Sequence, residues 1–378
     1  MTNMTLTFDA VDEPLPGPKW VARWRRSWPA YEAWFISRDG DRGPSAPECR
    51  QALDRHMPEL VETYDSLVKL AGGSDRAARF LSTWCPPPYL GGCSLAAVAD
   101  KKDVRLVRNY DLSPDLIEGL LLRTEWTGRA VMGMVEFLWG LSDGINDAGL
   151  SVALAFGGRS QTRAGFGIAT ILRYILETCE TVEDAVAAFD RIPSHMAYNV
   201  VIADAAGCTA SVEIAPGGGV KLMPRAIATN HQSGPALAER PGFTRSIERY
   251  DHLTRTRLIP RSLNAHFLKR PLFQNRYTEG FGTLFTAEYD PVARTLGLTL
   301  RESRWNQALD AFEEGRRVVD YAPHSGARDS EAVLTNAEEI PEPVPDWSLA
   351  ARIDWNAVAL DFANGQALVI SDYLARVK

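Results

Sequence analysis

Residues 86 to 99 read PPPYLGGCSLAAVA. Three prolines stiffen the approach, two glycines free the backbone, and Cys93 then opens an apolar run with strand character. The bland reading is a loop followed by a buried cysteine, because free cysteine is among the most often buried residue types. The sharper reading is a thiol set at the start of a strand because its place in the backbone matters to chemistry. Residues elsewhere in the chain decide between the two.

The pattern changes at this point. Ahead of Cys93 the chain reads as mainly helical. KWVARWRRSWPAYEAWF sets Trp20, Trp24 and Trp28 four apart, with Arg23, Arg25 and Arg26 between them. This is a helix docking its tryptophans on a core, although a basic aromatic stripe also suits a membrane surface or a nucleic acid. HMPELVETYDSLVKLAGG places Met57, Leu60, Val61, Tyr64, Leu67 and Val68 on one face and ends in a glycine pair, a helix with its stop signal. Residues 1–18 are polar and proline-rich and read as a frayed tail.

From Cys93 onward short strand patterns dominate: CSLAAVA, VRLVRNYD, GLSVALAF, NVVIAD, TASVEIA, AIATN, TLFTAEYD and RTLGLTLR. Between them lie helix patterns: GIATILRYILETCE, TVEDAVAAFDRI with Thr181 as N-cap and Asp184 three residues on, and TRSIERYDHLTR. Strands interleaved with helix pairs predict sheets covered by helices in an α+β architecture. APHSGARDSEAVLTNAEEIPEPVPDW is acidic and proline-rich and reads as a linker, followed by helical pieces to the end of the chain.

Composition narrows the function. The 378 residues are 45% apolar and 24% charged with a formal net charge of −7, which suits a globular protein with a large core and argues against a general phosphate-neutralising nucleic-acid binder. No apolar run reaches the roughly 18–20 residues of a membrane span, and the first residues carry no signal-peptide pattern, so a cytoplasmic protein is expected. The five cysteines follow no ligand spacing and the six histidines form no pair three or four apart, so no metal or other cofactor is expected.

Three constellations remain. Arg108 and Asp111 lie in RNYD at the end of the strand after Cys93, and a hairpin would bring them within reach of the thiol. A guanidinium beside a thiol raises its thiolate fraction, and a carboxylate there could hold an amine. AIATNHQ delivers Asn230 and His231 at a strand end, where Asn230 is a candidate oxyanion donor and His231 leaves a Cys–His dyad open. AFGGRSQTRAGFG has neither P-loop nor dinucleotide spacing, so Gly157 and Gly158 after Phe156 read as a close backbone approach to a ligand or as a plain turn.

GGCS, RNYD, DGINDAGLSVALAFGGR, ILRYILETCETVEDA, NVVIADAAG, VEIAP, ATNH and SIERYDHL occur in the order seen in one family. The chain resembles the acyl-CoA:6-aminopenicillanic acid acyltransferase-like family of self-processing N-terminal nucleophile (Ntn) hydrolases, relatives of the choloylglycine hydrolases, over residues 20–320. The resemblance implies a four-layer αββα sandwich, with residues 1–92 a helical pro-segment, 93–320 the catalytic core and 321–378 a C-terminal extension. It implies self-cleavage of the Gly92–Cys93 bond, after which the α-amine of Cys93 serves as base for its own thiol. Arg108 then lies near the thiol, Asp111 holds the α-amine, Asn230 helps form the oxyanion hole, and Arg249 completes the charge network. Phe156, Gly157, Gly158 and His231 fall where substrate would bind, with backbone N–H groups as further oxyanion donors.

The expected activity is hydrolysis of a small linear amide through an acyl-Cys93 intermediate, with the two cleaved fragments staying associated and a homo-oligomer also compatible. Acyl-CoA-dependent N-acyl transfer by the same fold is one alternative. An unprocessed binding protein is the other.

Overall fold

The computed structural model describes residues 4–89, 91–234 and 241–322. The acidic linker and helical pieces read from the sequence beyond residue 322 lie outside the described residues, as does Leu90 in the opening stretch.

Among the described residues two sheets carry the fold. The nine-stranded sheet runs, in spatial order, Val220–Leu222, Thr209–Ile214, Tyr198–Ala203, Ser151–Phe156, Gly140–Asn146, Val131–Glu136, Leu120–Thr124, Thr5–Asp12 and Gly315–Asp320. The second sheet runs Ile227–Ala228, Gly92–Ala99, Val104–Leu112, Phe281–Asp290, Thr295–Leu300 and Ser303–Ala308, with Asn275–Arg276 also paired to Phe281–Asp290. All pairs are antiparallel except Thr5–Asp12 with Leu120–Thr124.

Three apolar clusters define the layers. Cys93, Leu95, Ala97, Leu106 and Leu284 of the second sheet meet Met132, Met134, Ile145, Ala153 and Val201 of the first, so the sheets pack face to face. On the far side of the nine-stranded sheet, helices Ile168–Thr178 and Val182–Arg191 and the N-terminal helices bury Val152, Leu154, Val200 and Val212. On the far side of the second sheet, Leu253, Leu263 and Phe267 from helices Ser246–Arg255 and Leu263–Phe267 cover Ala96, Val107 and Ile227. The result is the four-layer αββα sandwich. Burial on both faces explains why SVALAF and YNVVIA do not alternate: every residue of these two strands is buried.

Local signals hold where chemistry is local. Thr181 caps Val182–Arg191 through its Oγ1, which accepts from the Asp184 N–H at 3.2 Å, and Asp184 reaches back to the Thr181 N–H at 3.1 Å. Gly72 and Gly73, at φ +93° and +72°, stop the helix Val61–Leu70. Trp20, Trp24 and Trp28 stack along the helix Pro18–Ser37, with successive ring centroids 5.4 and 4.4 Å apart. Trp20 and Trp24 are buried against the core.

Within the first eighteen residues, Thr5–Asp12 departs from the frayed tail read in the sequence. Thr5–Asp12 is a strand hydrogen-bonded on both sides, and it puts Phe8 and Ala10 into the core between the sheets. Its alternation of apolar and polar residues is masked by Pro14, Pro16 and the acidic residues that follow.

No helix among the described residues is long and apolar enough to cross a membrane. The indole N–H of fully buried Trp20 donates to the Leu138 carbonyl at 3.2 Å. Trp20→Ala is therefore expected to lose about 3–5 kcal/mol in urea unfolding. A loss under about 1 kcal/mol would mean that this helix is only loosely docked.

Candidate active site

The antiparallel pairing of Gly92–Ala99 with Val104–Leu112 sets Gly92 opposite Asp111, Cys93 opposite Tyr110 and Leu95 opposite Arg108. Side chains alternate across a strand, so this register sorts the candidate residues onto two faces. Cys93, Tyr110 and Arg108 point between the sheets, whereas Ser94 and Asp111 point toward the covering helices.

On the inner face Arg108 Nη2 donates to Cys93 Sγ at 3.2 Å, and Arg108 Nη1 pairs with Asp143 at 2.8 Å, all three groups being buried. Tyr289 Oη donates to the other Asp143 oxygen at 3.0 Å. The Arg108 guanidinium also lies over the Tyr110 ring, 4.6 Å from its centroid. Burial pushes the Cys93 thiol up to about 11, with Arg108 pulling the other way. The sulfur is thus a thiol with a cation held beside it.

On the outer face the fully buried Arg249, from the helix Ser246–Arg255, collects the remaining groups. Its Nη1 donates to the Cys93 carbonyl, to Ser94 Oγ at 2.8 Å and to Asp111 Oδ2 at 3.5 Å, and its Nη2 donates to Asn230 Oδ1 at 2.7 Å. Thr283 Oγ1 donates to the other Asp111 oxygen at 2.7 Å, from a β-bulge that inserts Leu284 opposite the Asp111–Tyr110 step. Burial pushes Asp111 up and Arg249 down, each opposed by the charge of the other.

Asn230 follows the short strand Ile227–Ala228, which pairs with Leu95 and Ala96. Its Oδ1 also accepts the Cys93 N–H at 2.9 Å, and its Nδ2 faces the carbonyls of Phe156 at 3.2 Å and Gly91 at 3.4 Å. Two donors on one side and two acceptors on the other fix which way the amide points.

The structure therefore brings Cys93, Arg108, Asp111, Asn230 and Arg249 together. It also adds Ser94, Tyr110, Asp143, Thr283 and Tyr289, which sequence reasoning did not single out. One of these leaves a signal: Asp143 sits in GLSDGIN, a strand buried at every position, and a charge there demands a partner.

His231 turns elsewhere. Its Nδ1 meets Ser246 Oγ at 2.7 Å and Thr229 Oγ1 at 3.2 Å, its ring packs edge-on against Tyr250, and the side chain that meets the Cys93 sulfur is the Arg108 guanidinium. The N–H of Gly157 is already given to the Ala197 carbonyl at 2.8 Å, whereas Gly158, at φ +84°, makes the turn. The neighbouring wall is aromatic: Tyr89 packs on Phe137 at 4.6 Å and on Tyr198 at 6.2 Å, and Phe156 packs on Tyr198 at 6.3 Å. Phe137 and Leu138 both have positive φ, 57° and 70°, a strained turn held where the Glu118 carboxylate takes the Leu138 N–H at 3.1 Å.

Gly92 is demanded by crowding. A Cβ there would lie 2.3 Å from the Phe281 ring and 2.8 Å from the Asp111 carbonyl. Gly92→Ala should cost about 1–3 kcal/mol in unfolding measurements, and Phe281→Ala in the same chain should return part of it. Wild-type stability for the single variant would contradict this packing.

The family model described as acyl-coenzyme A:6-aminopenicillanic acid acyl-transferase matches residues 98–305, more than half of the chain, a span that holds Arg108, Asp111, Asn230 and Arg249 and begins five residues after Cys93. A search of curated proteins finds no match. Among solved structures, a mutant of conjugated bile acid hydrolase from Clostridium perfringens is similar at 13% identity and TM-score 0.40, covering 62% of this chain and 100% of that one. The Caenorhabditis elegans ortholog of N-acylethanolamine-hydrolyzing acid amidase is similar at 16% identity and TM-score 0.39, covering 56% and 98%. Penicillin V acylase from Agrobacterium tumefaciens is similar at 15% identity and TM-score 0.38, covering 60% and 91%. On the family match the chain belongs to the acyl-coenzyme A:6-aminopenicillanic acid acyl-transferase family.

Proposed function

We propose that the protein is a self-processing cysteine amidohydrolase that cuts its own Gly92–Cys93 bond and then cleaves a small linear amide through an acyl-Cys93 intermediate. The observation that carries this reading is the placement of Cys93. Its sulfur meets Arg108 while its backbone nitrogen meets Asn230 Oδ1, so one residue presents both a nucleophile and a prospective amine to polar partners.

In processing, Sγ bonds to the Gly92 carbonyl carbon, the bond from that carbon to the Cys93 nitrogen breaks, and the thiol proton goes to the departing nitrogen. Water then hydrolyses the Gly92 thioester and frees the thiol. In turnover the new α-amine takes the thiol proton as Sγ attacks the substrate carbonyl, and it returns that proton to the leaving amine. Asn230 Nδ2 supplies a donor for the oxyanion once the Gly91 carbonyl has left, and Arg108 supports the thiolate. Asp111, expected to hold the α-amine, instead has Arg249 and Thr283 as its partners while Asn230 Oδ1 takes the Cys93 N–H, so Asp111 acts through Arg249, which fixes Asn230 and the Cys93 carbonyl.

After cleavage, residues 1–92 would stay in place as a small subunit, because Thr5–Asp12 is hydrogen-bonded between two strands of the larger fragment. The family description favours acyl transfer as the second reading. Transfer to an amine uses the same acyl-Cys93 intermediate, so the acceptor alone separates the two.

Incubation with a panel of N-acyl amines, followed by acid quench, should leave an added acyl mass on the peptide that begins with Cys93. Cys93→Ala should abolish that adduct and lower amide cleavage by at least about a thousandfold. Turnover that survives in the Ala variant would refute the nucleophile assignment.

A further inference from the structure

The charges around Cys93 do not balance. Among the described residues Arg108 pairs with Asp143 and Arg249 with Asp111, but Glu136 has no ion-pair partner. The only hydrogen bond to its carboxylate among the described residues comes from neutral Tyr110, Oη to Oε1 at 2.9 Å, which leaves Oε2 free. Glu136 ends the strand Val131–Glu136 and remains partly open to solvent.

Its surroundings are aromatic. Phe137 follows it in sequence, Tyr110 bonds it from the facing sheet, and Tyr89 and Tyr198 lie near enough for its charge to reinforce the effect of burial on their hydroxyls. Burial pushes Glu136 up to about 7, against the pull of Arg108 and Tyr110 and with the help of Glu118 and Asp143. A carboxylate held in place by one neutral donor, with its second oxygen free, gains from an added cation by ion pairing. A neutral donor would gain far less.

We propose that Glu136 is the recognition group for a protonated amine carried by the amide substrate. Because Tyr110 lies directly across from Cys93 and spans to Glu136, the ammonium belongs several bonds from the scissile carbonyl. The inference rests on the amidohydrolase reading of Cys93 for its substrate, but not for its binding site.

The test has two arms. In the first, the full chain as purified is titrated calorimetrically with phenethylammonium and with phenethyl alcohol, its neutral counterpart. The cation should bind at least about tenfold more tightly, and the difference should shrink to within about twofold in Glu136→Gln while Glu136→Asp keeps part of it. Equal binding to the wild-type chain, or a preference that persists in Glu136→Gln, would overturn the proposal. Thermal melts of both variants check that they fold.

In the second arm, kcat/KM is compared for γ-aminobutanoyl and pentanoyl anilides. The ratio should favour the amine by about tenfold or more and collapse in Glu136→Gln. If neither anilide is cleaved while the ammonium preference holds, the amidohydrolase reading fails and the Glu136 site stands. If both are cleaved equally and the ratio ignores Glu136→Gln, the site fails and the amidohydrolase reading stands.

Discussion

The Arg249 guanidinium is the constraint on which the site depends. It reaches from a covering helix through the second sheet's outer face to the Cys93 carbonyl, Ser94, Asn230 and Asp111, and its Nε donates to the Thr244 carbonyl at 2.9 Å. A buried cation with this many acceptors fixes three separate pieces of chain at once: the strand that carries the thiol, the strand end that carries Asn230, and the helix layer itself. Removing it would leave Asp111 buried without a cation, a far larger penalty than the net contribution of the pair.

The sheet register does the rest. Because Cys93 and Asp111 stand one step out of phase across the hairpin, the thiol faces the core between the sheets while the Asp111–Arg249 pair stays behind the strand. The Cys93 thiol thus meets Arg108 on its own face, and Arg108 pairs in turn with Asp143 from the opposite sheet. This arrangement holds a cation near sulfur with its charge offset from across the core, and it separates the groups that orient the backbone from the group that tunes the thiol.

Much of this is legible locally. The hairpin through RNYD, the delivery of Asn230 at the end of AIATN and the Thr181 cap follow from alternation, strand ends and capping chemistry, each set within a few residues. What stays hidden depends on distance in sequence. Asp143 is 35 positions from Arg108, and only a facing sheet joins them. Glu136 reaches Tyr110 in the same way, across 26 positions. His231 looks available to the thiol because it follows Asn230, but Ser246 on a covering helix sets its orientation. The strand Thr5–Asp12 escapes a local reading because its partners lie more than a hundred residues away and the prolines beside it suggest a tail.

The central claim is that Cys93 becomes an N-terminus. Intact mass measurement of the freshly purified, denatured protein tests it most directly. The account requires two species, residues 1–92 and residues 93–378, with the larger beginning at Cys93. A single full-length species that persists through prolonged incubation would contradict it.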